Sequence, residues 1–337
     1  MKIDKRKLLV TGLMALSFFI VLLISIVLLL FYPKDIHQNE YLLVINKGDS
    51  ISSVATRLNK EGIIYNRKGF IFLAKITHLN SKIKPGFFYI KNPASIWNIV
   101  NIIKNEPKKI MITFVEGWNY QKIKNYLDNN NQIRHLTKNW TEQQLLSFLD
   151  PSSNYKKVEG LLLPDSFYFY QGVEDKDIYR MAYSLMQQEL RKQWDERQEG
   201  LPYQTPYELL IMASIIEKET GDIEDRALVS AVFVNRLNKG MRLQTDPSVI
   251  YAMGDDYQGK IRKKDLYHDN PYNTYTRKGL PPSPIAMPSR ASLYAAAHPA
   301  DEKYLYFISK QDGSGKSYFS KSLSEHNAAV RKYILRK

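Results

Sequence analysis

Apolar residues form one long uninterrupted run near the start of this 337-residue chain. Leu8 to Phe31 are uncharged and mostly apolar, and a helix of that length spans roughly 36 Å at about 1.5 Å per residue. This predicts a transmembrane helix over residues 8–31. Basic residues precede it, so the positive-inside rule places residues 1–7 in the cytoplasm and the chain after Tyr32 outside. Residues 31–34 offer no small-residue cleavage site, which favours an uncleaved anchor over a signal peptide.

Residues 41–58 show a different pattern, after a polar segment at 32–40 that is typical of a linker. Alternating residues 41–45 predict a strand, Gly48 and Asp49 a turn, and the apolar spacing at 51, 54, 55 and 58 a helix. This order resembles the opening of a LysM module, a small glycan-binding unit, and residues 84–90 resemble its turn and closing strand. We therefore expect a small LysM-like α+β subdomain over residues 41–103. Residues 110–118 repeat the pattern, with Gly117 in the place of Gly48.

Longer helices and proline-marked loops dominate later in the chain. Helical periodicity and capping residues predict helices over 177–194, 222–239 and 289–297, and a last helix capped by Ser322 and Glu325. Residues 304–309 and 317–320 read as a hairpin. The predicted fold class is α+β: one N-terminal transmembrane helix, the LysM-like subdomain, and a mixed α+β catalytic domain over 104–337.

One helix of this domain is apolar on nearly every side. Thr205 as N-cap, Pro206 at the first helical position, a capping-box Glu208 and a terminating Gly221 mark its limits. From residue 209 to 216 only one serine interrupts the apolar residues, so the helix is expected to be buried. Glu217 follows where the apolar run ends. At about 100° per residue it shares a stripe with residues 210, 213 and 214, whereas the second acid, at 219, points some 200° away.

Glu217 is the candidate for acid–base chemistry. A carboxyl group beside an apolar wall loses hydration in its charged form, which raises its pKa and lets it hold a proton near neutral pH. A general acid needs this property. The alternative is that Glu217 begins a solvated helix end and is balanced by Lys218.

Composition narrows the possible partners and cofactors. The net charge of +14 suits an anionic polymer or membrane surface, and the predicted topology makes nucleic acid an improbable partner. The chain has no cysteine, which excludes disulfides and cysteine-bound metals. Its six histidines lack metal-ligand spacing. The segment 313–317 resembles a phosphate-binding loop, but it lacks the first glycine and lies in a predicted hairpin. We therefore predict neither a metal nor another cofactor.

Three polar loops after residue 240 carry amides, tyrosines and prolines at 242–247, 270–275 and 279–284. Amide and tyrosine side chains supply the hydrogen bonds and flat faces that sugars require. Gln244, Asp246, Asn273 and Tyr275 are the candidate substrate-binding residues. Asp246 has an alternative interpretation as an N-cap with Pro247 at the first helical position.

Several long motifs resemble one family. "ASIIEKET", "NRL", "MRLQTDPSVIYAMG", "YNTYTRKGLPPSPIA" and "AAAHP" look like the YceG family of endolytic murein transglycosylases, and "EGLLLPDSFYF" precedes them in the family's order. The resemblance covers nearly all of residues 41–335. It implies that Glu217, the first acid of "EKET", is the catalytic glutamate. In "LLLPDSF" a leucine and a serine stand where the family often shows an aromatic residue and a threonine.

The resemblance implies a lyase that cuts the β-1,4 linkage of nascent peptidoglycan, leaves 1,6-anhydro-N-acetylmuramic ends and so ends strand elongation. Its implied partners are glycan strands, the inner-membrane bilayer and peptidoglycan synthases, and its implied location is the inner membrane with the catalytic domain outside. Two alternatives stay open. One is a hydrolytic muramidase with Asp246, Glu219 or Asp222 as second carboxylate. The other is a non-catalytic, membrane-anchored scaffold that binds glycan.

Overall fold

The computed structural model describes residues 5–36, 39–46, 48–79, 83–105 and 108–335. The chain forms two compact units, one within residues 1–110 that also takes in 168–173, and one made of 111–167 and 174–337. Both combine helices with short two-stranded sheets, as expected for an α+β protein. The predicted subdomain limits at 103 and 104 stay a prediction.

The first unit contains a two-stranded antiparallel sheet packed on short helices. Strand β1 pairs with β2, and Leu43 lies opposite Phe88. The four helical positions predicted to be apolar, 51, 54, 55 and 58, are all buried in its core. Its elements are α1 (Lys5–Phe31), β1 (Glu40–Ile45), α2 (Ile51–Lys60), α3 (Arg67–Ile76), β2 (Gly86–Lys91) and α4 (Ile96–Lys104).

Helix α1 is long and apolar enough to cross a membrane between Leu9 and Phe31, and most of its side chains are exposed. Its last turn differs, because Leu30 belongs to the core of the first unit and the Phe31 ring lies 5.2 Å from that of Trp97. The segment expected to be a linker is also attached to this unit. Lys34 exchanges backbone hydrogen bonds of 2.9 and 3.0 Å with Ala94, and Ile36 is buried.

The second unit is mainly helical. Its strands β5 and β6 form an antiparallel two-stranded sheet, which is the predicted hairpin. The predicted helices lie within two residues of those observed. The elements that follow α4 along the chain are β3 (Lys109–Thr113), α5 (Tyr120–Asp128), α6 (Glu142–Leu149), β4 (Ser166–Tyr170), α7 (Asp175–Asp195), α8 (Pro206–Glu219), α9 (Ile223–Asn238), α10 (Asp246–Met253), α11 (Lys263–Tyr267), α12 (Arg290–Ala297), β5 (Tyr306–Ser309), β6 (Ser317–Ser320) and α13 (Leu323–Val330), and β3 pairs with β4.

Helix α8 is the centre of the second unit, as its apolar sequence predicts. Every residue from Leu209 to Ile216 is buried, and α7, α9, α10 and α12 pack around it. Ser214 is the polar residue in this run. Its hydroxyl donates to the carbonyl of Ile211 at 2.7 Å and accepts from the amide of Ile285 at 3.0 Å. The serine is therefore satisfied inside the core, and it ties the 284–287 segment to the stripe of α8 that ends in Glu217.

The observed helix caps match those predicted from the sequence, except at Glu208 and Asp246. Thr205, Asp222, Ser289 and Ser322 are N-caps, and each side chain accepts a backbone N–H of the first turn. The predicted capping box at Glu208 is wrong in detail, because its carboxylate accepts from the amide of Gln204 rather than from that of the N-cap. The N-cap interpretation of Asp246 is also wrong. Thr245 holds that position, and Asp246 is the first residue inside α10.

Candidate active site

Glu217 lies at the last turn of α8 with only 6% of its side chain exposed. One carboxylate oxygen, Oε2, accepts three hydrogen bonds: from the amide of Ser289 at 2.9 Å, from the hydroxyl of Ser289 at 2.5 Å and from the hydroxyl of Ser292 at 2.7 Å. The other oxygen, Oε1, is 3.5 Å from Nη2 of Arg226. Burial withdraws water from this carboxyl group, and these four donors replace it.

Arg226 is part of the same cluster. Its side chain is 8% exposed, and its Nη1 donates to the hydroxyl of Ser289 at 3.0 Å. The Ser289 hydroxyl thus connects the guanidinium to the Glu217 carboxylate. Ser289 is also the N-cap of α12, so the positive end of that helix faces the carboxyl group. The site is therefore electrostatically complementary to a negative charge on Glu217.

Sequence reasoning missed Arg226, Ser289 and Ser292. Two signals were present in the chain. Ser289 and Ser292 are three residues apart at the start of a predicted helix, which places both on its first turn. Arg226 is a buried charge in α9, a helix that also buries several apolar residues, and a buried arginine needs an anion or hydrogen-bond acceptors as partners. Neither signal says which acid is the partner.

The loop at Gly117 covers Glu217. Gly117 has φ +72, and a Cβ there would lie 3.8 Å from Cγ of Glu217. Its amide donates to the carbonyl of Met287 at 2.9 Å, and Lys218 Nζ donates to the Gly117 carbonyl at 3.3 Å. Glu116, the preceding residue, has its pKa raised by burial and by the charge of Glu217, which Arg226 opposes. A second acidic group therefore lies within electrostatic range of Glu217.

The predicted substrate residues do not gather at Glu217. Gln244, Asp246 and Tyr275 line a cavity of about 390 Å³ together with Glu219, the other acid of α8. The Tyr275 hydroxyl donates to Asp246 at 2.5 Å. Burial raises the pKa of Glu219 to about 7, and the charge of Asp246 adds to the rise. The two acids of α8 therefore belong to different environments, as their angular separation on the helix requires.

Asn273 and Asp222 are engaged with the backbone. Asn273 is buried, and its amide nitrogen donates to the carbonyl of His268 at 2.7 Å while its oxygen accepts from the amide of Tyr275 at 2.9 Å. These contacts hold the 268–275 loop, and a sugar contact by Asn273 remains a prediction. Asp222 caps α9 by accepting the amide of Glu224 at 2.8 Å.

Comparisons with known proteins identify the family of this chain. The model of the YceG-like family matches residues 43–332. The chain is 30% identical over 308 residues to a protein of Bacillus subtilis strain 168 named endolytic murein transglycosylase, covering 86% of this chain and 84% of the relative. A protein of the same name from Streptococcus pneumoniae serotype 2 is 25% identical over 336 residues, which cover 90% of this chain and 60% of the relative.

A solved structure is similar as well. The crystal structure of a YceG-like protein from Listeria monocytogenes superposes with a TM-score of 0.51 at 30% identity, covering 86% of this chain and 98% of that one. The family match extends over most of the residues that form both units, including α8 and the serines that hold Glu217. The chain therefore belongs to the YceG-like family.

Proposed function

We propose that this chain is an endolytic murein transglycosylase and that Glu217 is its catalytic acid and base. The observation that supports the role of Glu217 most is its setting: a nearly buried carboxyl group held by two serine hydroxyls, a backbone amide and Arg226. The names of the Bacillus and Streptococcus relatives support the reaction class.

The proposed reaction needs a single carboxyl group. Glu217 donates its proton to the oxygen that leaves as the β-1,4 bond breaks. The C6 hydroxyl oxygen of the same N-acetylmuramic acid then bonds to C1, and Glu217 takes up the hydroxyl proton. The product is a 1,6-anhydro ring, and no water is consumed. Because the attacking hydroxyl is on the sugar that carries the breaking bond, the reaction gains a large effective molarity without a second carboxylate.

The serines suit a group that changes its protonation state. A hydroxyl can donate to a carboxylate and, after rotating, accept from a protonated carboxyl group. Ser292 can make this exchange, because its hydroxyl touches Glu217 Oε2 at 2.7 Å. Arg226 keeps its charge throughout and fixes Ser289. Glu217 can therefore give up and regain a proton without moving.

Digestion of purified sacculi, with the products separated by mass spectrometry, tests the proposal. We expect the wild-type protein to release fragments with anhydro ends and Glu217→Gln to release none. The glutamine side chain has the same size as glutamate and can still form hydrogen bonds, but it cannot donate an acidic proton. Glu208→Gln, at the other end of α8, is the matched control and should act like wild type. Reducing ends would indicate a hydrolytic muramidase. A Glu217→Gln variant that still releases anhydro fragments would refute the role of Glu217. A wild-type protein that binds the strands but releases no fragments would indicate the glycan-binding scaffold.

We further propose that α1 anchors the enzyme in the inner membrane, with residues 1–7 in the cytoplasm and the remainder outside. The packing of Leu30 and Phe31 on the first unit supports an uncleaved anchor, since cleavage would remove part of a folded core. Protease added to spheroplasts should degrade the domain but leave the N-terminus protected. An ectodomain found free of the membrane would contradict the anchor.

The strand–helix–helix–strand order of the first unit, with its outer strands paired, supports a LysM-like subdomain. We propose that it binds glycan and that peptidoglycan synthases are neighbours of the enzyme at the membrane. Loss of binding to isolated glycan strands on deletion of residues 41–103 would support the first point. Retention of full binding would contradict it.

A further inference from the structure

A large groove adjoins Glu217, and the proposed reaction does not yet use it. Its volume is about 850 Å³, within the range of about 300–1,000 Å³ of ligand sites. Its walls carry the tyrosines 120, 251 and 257, the amides Asn119 and Gln121, and the buried carboxyl group of Glu159. Tyrosine rings with nearby amides are the groups that bind sugar rings.

The groove is lined by residues next to the catalytic glutamate. Gly117 and Lys218 are two of them. Gly117 is the residue whose Cβ would lie 3.8 Å from Cγ of Glu217, and Lys218 directly follows Glu217 in α8. Ile285, which also lines the groove, is tied to α8 through its bond to Ser214. A chain-like ligand in the groove would therefore lie against residues that contact Glu217 or its helix.

Glu159 organises one wall. It is 4% exposed, and its two oxygens accept from the amide of Tyr120 at 3.1 and 3.3 Å. The Tyr251 hydroxyl also donates to it. One carboxyl group thus joins α5 to α10. Burial raises the pKa of Glu159 to about 7, and the negative charge of Glu142 raises it further. The hydrogen bonds from Tyr120 and Tyr251 and the positive charge of Lys157 act in the opposite direction.

We propose that this groove binds the sugar units of the glycan on one side of the bond that is cut, and that Glu159 is the positioning residue that fixes its tyrosine wall. The inference rests on the proposed function, because it takes murein glycan as the substrate. An internal cut requires sugars to be bound on both sides of the broken bond. A groove lined by the neighbours of the catalytic glutamate supplies one of these sides.

Binding by an inactive enzyme separates this proposal from the proposed reaction. The probe is a peptide-free murein glycan strand, and the protein is the full chain in detergent with Glu217→Gln. In that background Tyr257→Ala should weaken strand binding by about fivefold, the loss expected for one aromatic contact. Tyr267→Ala is the matched control, since Tyr267 lies 72% exposed on α11 and does not line the groove. It should leave binding unchanged.

The pH dependence tests Glu159 itself. Peptide-free strands carry lactyl carboxylates, so ionisation of Glu159 should weaken binding as the pH rises from 6 to 8. Glu159→Gln should remove this dependence while keeping the bonds to Tyr120 and Tyr251, and a thermal scan verifies that it folds. Equal glycan binding by the Tyr257 and Tyr267 variants would refute the proposal that the groove binds the glycan. A pH dependence that persists in Glu159→Gln would overturn the role of Glu159. Either result leaves anhydro-product formation by the wild type as a separate test of the reaction.

Discussion

Gly160→Ala should destabilise the second unit more than an ordinary glycine substitution. Gly160 follows Glu159 in the buried segment 158–163 and has φ +79. An added Cβ would overlap the ring of Pro284, 2.5 Å from its Cγ. Because a proline ring cannot rotate away, the backbone of one of the two segments must shift. The Glu159 segment and the 281–286 loop would separate, and the groove wall would lose its support.

The cost has two parts. The left-handed backbone conformation disfavours any residue with a Cβ by about 1–2 kcal/mol. Overpacking against Pro284 adds about 1–3 kcal/mol. Gly279→Ala isolates the first part, because Gly279 has φ +81 and nothing within 4 Å of an added Cβ. The difference between the two variants should therefore be about 1–3 kcal/mol, or roughly 2–12 °C in Tm for a domain of this size.

Thermal unfolding of the full-length protein in detergent measures this difference. Circular dichroism at a helical wavelength follows the unfolding of both units, and because both substitutions lie in the second unit, the difference in Tm between the two variants reports that unit. Gly160→Ala should unfold at a lower temperature than Gly279→Ala, and it should also bind glycan strands more weakly. Equal Tm values for the two variants would show that the contact between Gly160 and Pro284 does not constrain the fold, and the reasoning would then fail.

Two further variants probe the acids of α8. Ser292→Ala removes one of the three hydrogen-bond donors to Glu217 Oε2. We expect kcat to fall by about tenfold while the Tm stays near that of the wild type. An unchanged kcat would contradict the proposed role of Ser292 in holding Glu217. Glu219 has a folded-state pKa of about 7, above its ordinary value of 4.5, so the folded protein loses up to about 3 kcal/mol as the pH rises through this interval. Glu219→Gln should therefore have a higher Tm than the wild type at pH 8 and nearly the same Tm at pH 4.5. An equal difference in Tm between variant and wild type at both pH values would argue against a raised pKa of Glu219.

Local sequence determined much of the secondary structure of this protein. The limits of α8 follow from Thr205, Pro206 and the polar residues after Ile216, because helix ends depend on capping groups a few residues away. The burial of α8 follows from its composition, and the separation of Glu217 from Glu219 follows from helical geometry. Gly48 and Gly117 both adopt positive φ, as their equivalent turns predicted.

Tertiary structure decided which groups surround each acid. Ser289 and Ser292 reach Glu217 from more than 70 residues away, and the side-chain amide of Asn273 donates to a backbone carbonyl of its own loop. Such contacts depend on how loops pack on α8, which no local pattern encodes. Residues 168–173 join the first unit for the same reason. The sequence by itself predicted a candidate acid and the helix that carries it, whereas the partners that hold this acid come together only once distant segments pack, because their hydrogen bonds have a range of about 3 Å.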